Sequence, residues 1–406
     1  MNYTQAIAWL YDTQLRGIKL GLEQIHRLLD LLGFEGDEQR FIHVAGTNGK
    51  GSVCAMLDAI CREQGILTGL FTSPHLVHFC ERITLDGATI SEQEVASGLT
   101  TIRKIVSDWE THPTFFEITT ALALDWFQRR KADVVVLETG LGGRLDSTNV
   151  VTPLVSVLTP IDLDHQAWLG SSLNQIALEK AGIIKPGVPV VSAPQHNEVA
   201  ELFVRAAAEK RAPIQFVTGP LENRPINLAG SHQKFNAALA IASLHAAGIE
   251  VSQEAIRKGL GNVVWPGRFQ TIQNQIVLDG AHNEAAAERL VLTWREVRGN
   301  ERATIILGVL KDKDMAAICR ALMPIALAFI VTQVRSQRSS APEELQAIIR
   351  ELDATIPCSI ATDLPHAIEI ARPDANRVLI TGSLFLVGEA LAFFDEPGSK
   401  PEISEQ

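Results

Sequence analysis

The sequence predicts an α/β protein of two domains. The N-terminal domain is a mostly parallel sheet flanked by helices and carrying a P-loop, and the smaller C-terminal domain is a Rossmann-like open α/β sheet. Three observations carry this reading. Short Val, Ile and Leu runs alternate with segments of helical spacing, as buried parallel strands and their crossover helices do. A glycine-rich segment directly follows the first such run. The alternation then breaks at Trp265-Pro266-Gly267-Arg268-Phe269 and restarts beyond it.

In chain order, residues 41–45 read as a strand, followed by the glycine-rich loop and a helix whose Val53, Met56, Leu57 and Ile60 fall at i, i+3, i+4 and i+7. A second strand at 69–72 closes a βαβ unit. The helix 117–130 leads into a strand at 133–138, and strands at 154–158 and 188–192 follow with the helix 173–182 between them. Residues 211–230 lapse into a polar, proline-containing stretch, expected to be a loop or an edge hairpin, before an Ala-rich helix at 233–247. The break within 264–274 is the expected boundary, giving domains 1–268 and 269–406. In the second domain, strands are expected at 276–279, 304–309, 328–334, 358–361 and 378–381. Residues 396–406 are polar with two prolines and read as a frayed end.

Composition excludes several function classes. With 406 residues and 46% hydrophobic content the chain has ample material for packed cores, so a fibrous or disordered protein is not expected. Lys and Arg number 36 against 47 Asp and Glu, a net charge of −11, which opposes nonspecific binding to nucleic acid or to an anionic membrane. No stretch approaches the roughly 18 apolar residues of a membrane span, and the N-terminus shows no basic leader before an apolar core. Five cysteines without C-x-x-C spacing suggest a reducing cytoplasm and neither a disulfide framework nor a thiolate zinc site.

The residues that could carry chemistry cluster in short segments. Gly46-Thr47-Asn48-Gly49-Lys50-Gly51-Ser52 lies between a predicted strand and a helix N-terminus, where backbone N–H groups and Lys50 can cradle phosphate. It departs from G-x-x-x-x-G-K-[ST]: the first glycine is two residues closer to Lys50, and Gly51 separates Lys50 from Ser52. Glu138 ends an apolar strand beside a Gly-rich loop, a suitable place for a magnesium ligand, although a loop brace is the alternative. Asp162, Asp164 and His165 follow the next strand in the same way, while Ser73 and Lys180 by spacing alone read as a turn residue and a solvated helix lysine.

Seven segments, in order and spanning nearly the whole chain, resemble folylpolyglutamate synthase and dihydrofolate synthase of the Mur ligase superfamily. They are the loop 46–52, Thr72-Ser73-Pro74-His75-Leu76, Glu138-Thr139-Gly140-Leu141-Gly142-Gly143-Arg144-Leu145-Asp146, Leu163-Asp164-His165 with Trp168-Leu169-Gly170, Glu179-Lys180-Ala181-Gly182-Ile183, Trp265-Pro266-Gly267-Arg268-Phe269, and Asp279-Gly280-Ala281-His282-Asn283. The resemblance implies ATP-dependent ligation of L-glutamate to dihydropteroate, to the γ-carboxyl of reduced folate, or to both, through an acyl phosphate.

By position, the resemblance assigns Gly46, Thr47, Asn48, Gly49, Lys50, Gly51, Ser52, Asn236, Arg268 and Asp279 to ATP. It implies two magnesium ions held by Ser73, Glu138 and His165, with a monovalent cation as a further candidate. Lys180 matches the family lysine that is carbamylated and joins Lys50, His165 and Glu138 as a catalytic group. Asp12, Thr13, Gln14, Leu15, Phe116, Glu117 and Asp146 correspond to the folate or pteroate pocket, although Tyr11 to Arg16 match only loosely, and Phe116 could equally be core packing. His282 and Ser383 correspond to glutamate handling. The expected partners are small molecules only, and the expected state is a monomer. A ligase for cell-wall precursors and a non-catalytic nucleotide-binding regulator are the alternatives.

Overall fold

The computed structural model describes residues 1–16, 21–36, 39–273, 275–371, 377–395 and 400–402, with side chains of residues 15 and 16 excepted. Its first sheet has eight strands: β1 (Phe41–Ala45), β2 (Thr68–Phe71), β3 (Ile83–Leu85), β4 (Ala88–Thr89), β5 (Val134–Glu138), β6 (Val155–Leu158), β7 (Val190–Ser192) and β8 (Ile214–Phe216). Their order is β4-β3-β2-β5-β1-β6-β7-β8. All neighbours are parallel except β2–β3 and β3–β4.

The central strands β1 and β5 are buried on both faces, with successive side chains entering opposite cores. Phe41, Val135 and Leu137 enter a core with helices Tyr3–Asp12, Glu23–Leu32, Glu92–Val106 and Phe115–Arg130. Ile42, Val44, Val134 and Val136 enter the opposite core, with helices Lys50–Glu63, Ser231–Ala246 and Gln253–Asn262. The last of these lies close against the first: a Cβ on Gly259 would sit 2.7 Å from the Ile60 Cα.

The second sheet has six strands: β9 (Gln270–Ile272), β10 (Ile276–Leu278), β11 (Ala303–Leu307), β12 (Ala326–Thr332), β13 (Cys358–Ala361) and β14 (Arg377–Thr381), in the order β13-β12-β11-β14-β10-β9. Only β9 is antiparallel.

One expectation is corrected, and one break in the pattern holds a strand. The 211–230 stretch is not an edge hairpin: it contains β8, which adds to β7 in parallel. Ile214 and Phe216 flank an exposed Gln215 in a partly exposed edge strand, so no continuous apolar run announces it. The break at 264–274 likewise holds β9, directly before β10. Of the expected frayed end, only residues 400–402 are described; residues 396–399 and 403–406 lie outside the described residues.

Candidate active site

β1 lies between β5 and β6, so the chain leaves the sheet in opposite directions around it, and a crevice opens at the carboxyl ends of these strands. The glycine-rich loop fills that point. Gly46 has φ 151°, and a Cβ there would lie 1.8 Å from the Thr159 hydroxyl oxygen. Gly49, at φ 90°, starts the helix Lys50–Glu63. Both conformations are open to glycine and strained for other residues. The loop N–H groups of Thr47 and Asn48 donate to Pro160 O at 3.0 and 3.3 Å. Lys50 Nζ donates back to Gly46 O and Thr47 O at 3.1 and 3.4 Å, so the cation is folded over the loop.

Glu138, at the end of β5, is buried, and one carboxylate oxygen accepts the Ser73 N–H at 3.1 Å. Burial raises its pKa despite the charges of Lys50, Arg268 and Arg82. A carboxylate in that state gains most from a cation placed beside it. Among the described residues no three His, Cys, Asp or Glu side chains form a cage, so a divalent ion here would draw further oxygens from phosphate and water. His165, at φ 50°, begins the short helix Gln166–Leu169. Its surroundings hold it down to about 3 through desolvation, against the Asp164 carboxylate, so the imidazole is neutral, the form that binds metal.

Lys180 is the main surprise in burial. Spacing alone makes it a solvated helix lysine, yet it is 4% exposed in the last turn of the helix Leu173–Ala181. Its ammonium donates to Gly46 O at 2.8 Å. Burial, then the nearby Lys50 charge, pushes its pKa down to about 7. The Gly-rich loop after β5 sets this helix: a Cβ on Gly143 would lie 2.9 Å from Glu179 O and 3.0 Å from the Lys180 Cα.

The second lobe closes the cleft. Asp279, following β10, accepts the N–H groups of Phe269 and Ala281, each at 2.9 Å, and burial raises its pKa against the pull of Arg268. Asn236 donates to Gln233 Oε1 at 2.9 Å and faces Gly49, whose added Cβ would come 3.0 Å from its Oδ1. The His282 Nδ1–H donates to Gly280 O at 2.8 Å, and Nε2 stands 3.5 Å from the Asp164 carboxylate. One cleft is therefore lined by the loop 46–52, Ser73, Glu138, His165, Lys180, Asn236, Arg268, Asp279 and His282.

The remaining expected residues lie outside that lining. Asp12 is exposed, and Thr13 closes the first helix by donating to Leu10 O at 2.6 Å. Gln14 is half-buried, and the Leu15 side chain lies outside the described residues. Phe116 packs on Phe71 at 5.9 Å between centroids and covers Gly140, where a Cβ would meet its ring at 2.5 Å. Glu117 is buried and caps its own helix, accepting from Thr114 N and Oγ1 at 2.7 and 2.8 Å. Asp146 is buried, accepting from Gly140 N, Leu141 N and Thr148 N at 2.9, 2.8 and 3.0 Å. Ser383 Oγ accepts the Phe385 N–H at 3.1 Å at the start of the helix Leu384–Asp395.

Sequence reasoning missed the seam between the lobes. Asp164 accepts Lys313 Nζ at 2.5 Å and Asn283 Nδ2 at 3.1 Å; His282 first, then His165 and Lys313, hold its carboxyl far below the usual range in spite of burial. Asn283 also donates to Asn48 Oδ1 at 3.2 Å, tying the phosphate loop to the second lobe. Lys313 sits in Lys311-Asp312-Lys313-Asp314 after β11, a charge run that reads as an ordinary solvated loop.

A phosphate loop, a strand-end carboxylate and a buried lysine facing a second α/β lobe across a cleft define the Mur ligase class, and two family models match accordingly. The Mur ligase middle domain matches residues 44–214, and the Mur ligase glutamate ligase domain matches 267–384. The chain is 35% identical to the dihydrofolate synthase/folylpolyglutamate synthase of Bacillus subtilis, over 95% of this chain and 98% of that one. It belongs to the dihydrofolate synthase/folylpolyglutamate synthase family. Among solved structures, Escherichia coli FolC in complex with DHPP and ADP aligns with TM-score 0.88 and 32% identity over 97% of this chain and 98% of that one. The bifunctional folylpolyglutamate synthase/dihydrofolate synthase of Yersinia pestis, with AMPPNP and a Mn ion, gives 0.87 and 30% over 98% of each chain.

Proposed function

We propose that this protein joins L-glutamate to dihydropteroate, to the γ-carboxyl of a reduced folate, or to both, using ATP. The observation that carries this is Lys180, a buried lysine beside the phosphate loop with its pKa drawn to about 7 in the same cleft as Glu138, Arg268 and Asp279. In the first step, an acceptor carboxylate oxygen attacks the γ-phosphorus and the bond to ADP breaks. The glutamate amine then attacks the acyl carbon, the acyl–phosphate bond breaks, and the nitrogen loses a proton. The loop 46–52, whose Thr47 and Asn48 N–H groups are held by Pro160 O, would bind the nucleotide phosphates through its remaining N–H groups and the Lys50 charge. Arg268 and Asp279 would reach it from the seam, and Asn236 from beside Gly49.

Ser73, Glu138 and His165 would hold the divalent ions, which when bound screen the repulsion between nucleotide and anionic acceptor. Two magnesium ions suit this donor set, and a monovalent cation is a further candidate. Lys180 would act as a carbamate: its neutral amine adds carbon dioxide and sheds a proton, turning a cation into an anion beside Lys50. A pKa near 7 supports this, because the neutral amine is the nucleophile. His282 and Ser383 at the second-lobe end would receive glutamate. The pterin would lie toward Asp12, Thr13, Gln14, Leu15 and Phe116, with Glu117 and Asp146 shaping the wall through the backbone they hold. The division into 1–268 and 269–406 is supported by Phe269, which packs in the second-lobe core. We further infer a monomer in the cytoplasm, consistent with five free cysteines.

The test is glutamate-dependent ADP release with dihydropteroate and, separately, tetrahydrofolate, with products identified by mass spectrometry. One or both acceptors should stimulate release and gain a glutamate; no stimulation by either refutes the proposal. Lys180→Ala should lower kcat by about 100-fold or more, the scale of removing a preorganised electrostatic group.

A further inference from the structure

The segment 73–79, which begins at Ser73 beside Glu138, runs outside the sheet, yet its N–H groups are captured by three carboxylates. Glu138 takes Ser73 N, Glu81 takes Leu76 N, Val77 N and His78 N at 2.7, 3.0 and 2.7 Å, and Glu402 takes Phe79 N at 2.6 Å. Glu402 lies 323 residues from Phe79 along the chain. It makes three further bonds in the same place. Its N–H donates to Val77 O at 2.7 Å, and its carboxylate accepts Tyr3 OH at 3.0 Å. Its carbonyl accepts His75 Nε2 at 2.6 Å. The tautomer is fixed by Arg82, whose Nε donates to His75 Nδ1 at 2.8 Å and so leaves the ring proton on Nε2. On the other side, the segment sits on the second lobe: a Cβ on Gly388 would come 2.0 Å from Leu76 O.

We propose that Glu402 is a positioning residue for the reaction: it straps the 73–79 segment from the far end of the chain and thereby sets Ser73 against Glu138. The carboxylate bonds Tyr3 and Phe79 at once, so it fixes the segment relative to the first helix as well as to itself. The consequence for the metal rests on the proposal that Ser73 and Glu138 hold it, and the experiment separates the two claims.

On the full chain, amide exchange of peptides covering 73–79 and Mn²⁺ affinity in the presence of AMPPNP are measured for wild type, Glu402→Ala, Glu402→Gln and Ser73→Ala. Glu402→Ala should speed exchange of the Phe79 amide by about tenfold, the loss of its charged hydrogen bond. It should weaken Mn²⁺ by about tenfold, the scale of an outer-shell change at a metal site. Glu402→Gln keeps an oxygen for Phe79 N–H and should stay within about twofold of wild type on both measures. Unchanged exchange in Glu402→Ala overturns the proposal. So does faster exchange with unchanged Mn²⁺ affinity while Ser73→Ala weakens it. Faster exchange with Mn²⁺ binding indifferent to Ser73→Ala removes Ser73 from the metal site and leaves the strap supported.

Discussion

Replacing Lys180 by methionine should make the protein more stable, and the gain should depend on pH in a way that reports the lysine's protonation. The side chain is 4% exposed, and its pKa falls from 10.5 to about 7. The folded state therefore releases a proton that the unfolded chain keeps, so wild-type stability is lowest below pH 7 and rises between pH 7 and 10.5. At about 1.4 kcal/mol per pH unit, the buried ammonium costs ~4 to 5 kcal/mol at pH 6 and ~2 kcal/mol at pH 9. Methionine removes this cost but also the bond to Gly46 O, about 1 kcal/mol. Urea unfolding in carbon-dioxide-free buffer should then show Lys180→Met stabilised by ~3 kcal/mol at pH 6, with the advantage smaller by ~2 to 3 kcal/mol at pH 9. An equal effect at both pH values, or a loss of stability at pH 6, would refute the depressed pKa. The variant should be catalytically dead, which sets stability against function at one residue.

Three other substitutions test the seam and the second lobe. Lys313→Met strands the buried Asp164 charge and should destabilise by about 3 kcal/mol in urea titrations, with Asp164→Asn/Lys313→Met recovering most of it. Glu389 is buried and raised to about 7 from 4.5, so stability present below pH 4.5 is lost as pH rises through 7. Glu389→Gln should therefore raise stability at pH 8 by about 2 kcal/mol and leave it unaltered at pH 4. Gly388→Ala places a methyl against Leu76 O and should cost about 1 to 3 kcal/mol, visible as a lower Tm.

Most of the fold is legible because parallel strands buried on both faces are continuous apolar runs, as at β5 with Val134, Val135, Val136 and Leu137. β8 and β9 escape because each is a short edge strand whose middle residue is exposed and breaks the run. The phosphate loop is legible from composition, since only glycine suits Gly46 and Gly49. Lys180 is not, because it packs against Gly143 and reaches Gly46 O, both distant along the chain; only the resemblance singled it out. The pairing of Asp164 with Lys313 escapes for the same reason, as 149 residues separate the partners of that bond. Local spacing can place a carboxylate at a strand end, but it cannot say which cation from the other lobe will meet it.

The −11 net charge looks ill-suited to a protein whose proposed substrates are all anions. The cleft resolves this by local inversion. Lys50, Arg268 and Arg289 line it against Glu138, Asp164 and Asp279, while Lys180, with its pKa drawn to about 7, is not a fixed positive charge. Of those carboxylates, Asp164 is matched by Lys313, while burial disfavours the charge on Glu138 and Asp279. The charge facing the phosphate loop is therefore set by these nearby cations rather than by the net charge of the whole molecule. Two of those three cations, Arg268 and Arg289, come from the second lobe and the segment that joins it, so this balance exists only while the lobes face each other. Asn283, bonded at once to Asn48 of the loop and to Asp164, makes the loop's geometry depend on the same contact. A nucleotide bound in the loop and a closed seam should stabilise one another, because each supplies charge and hydrogen bonds that the other needs.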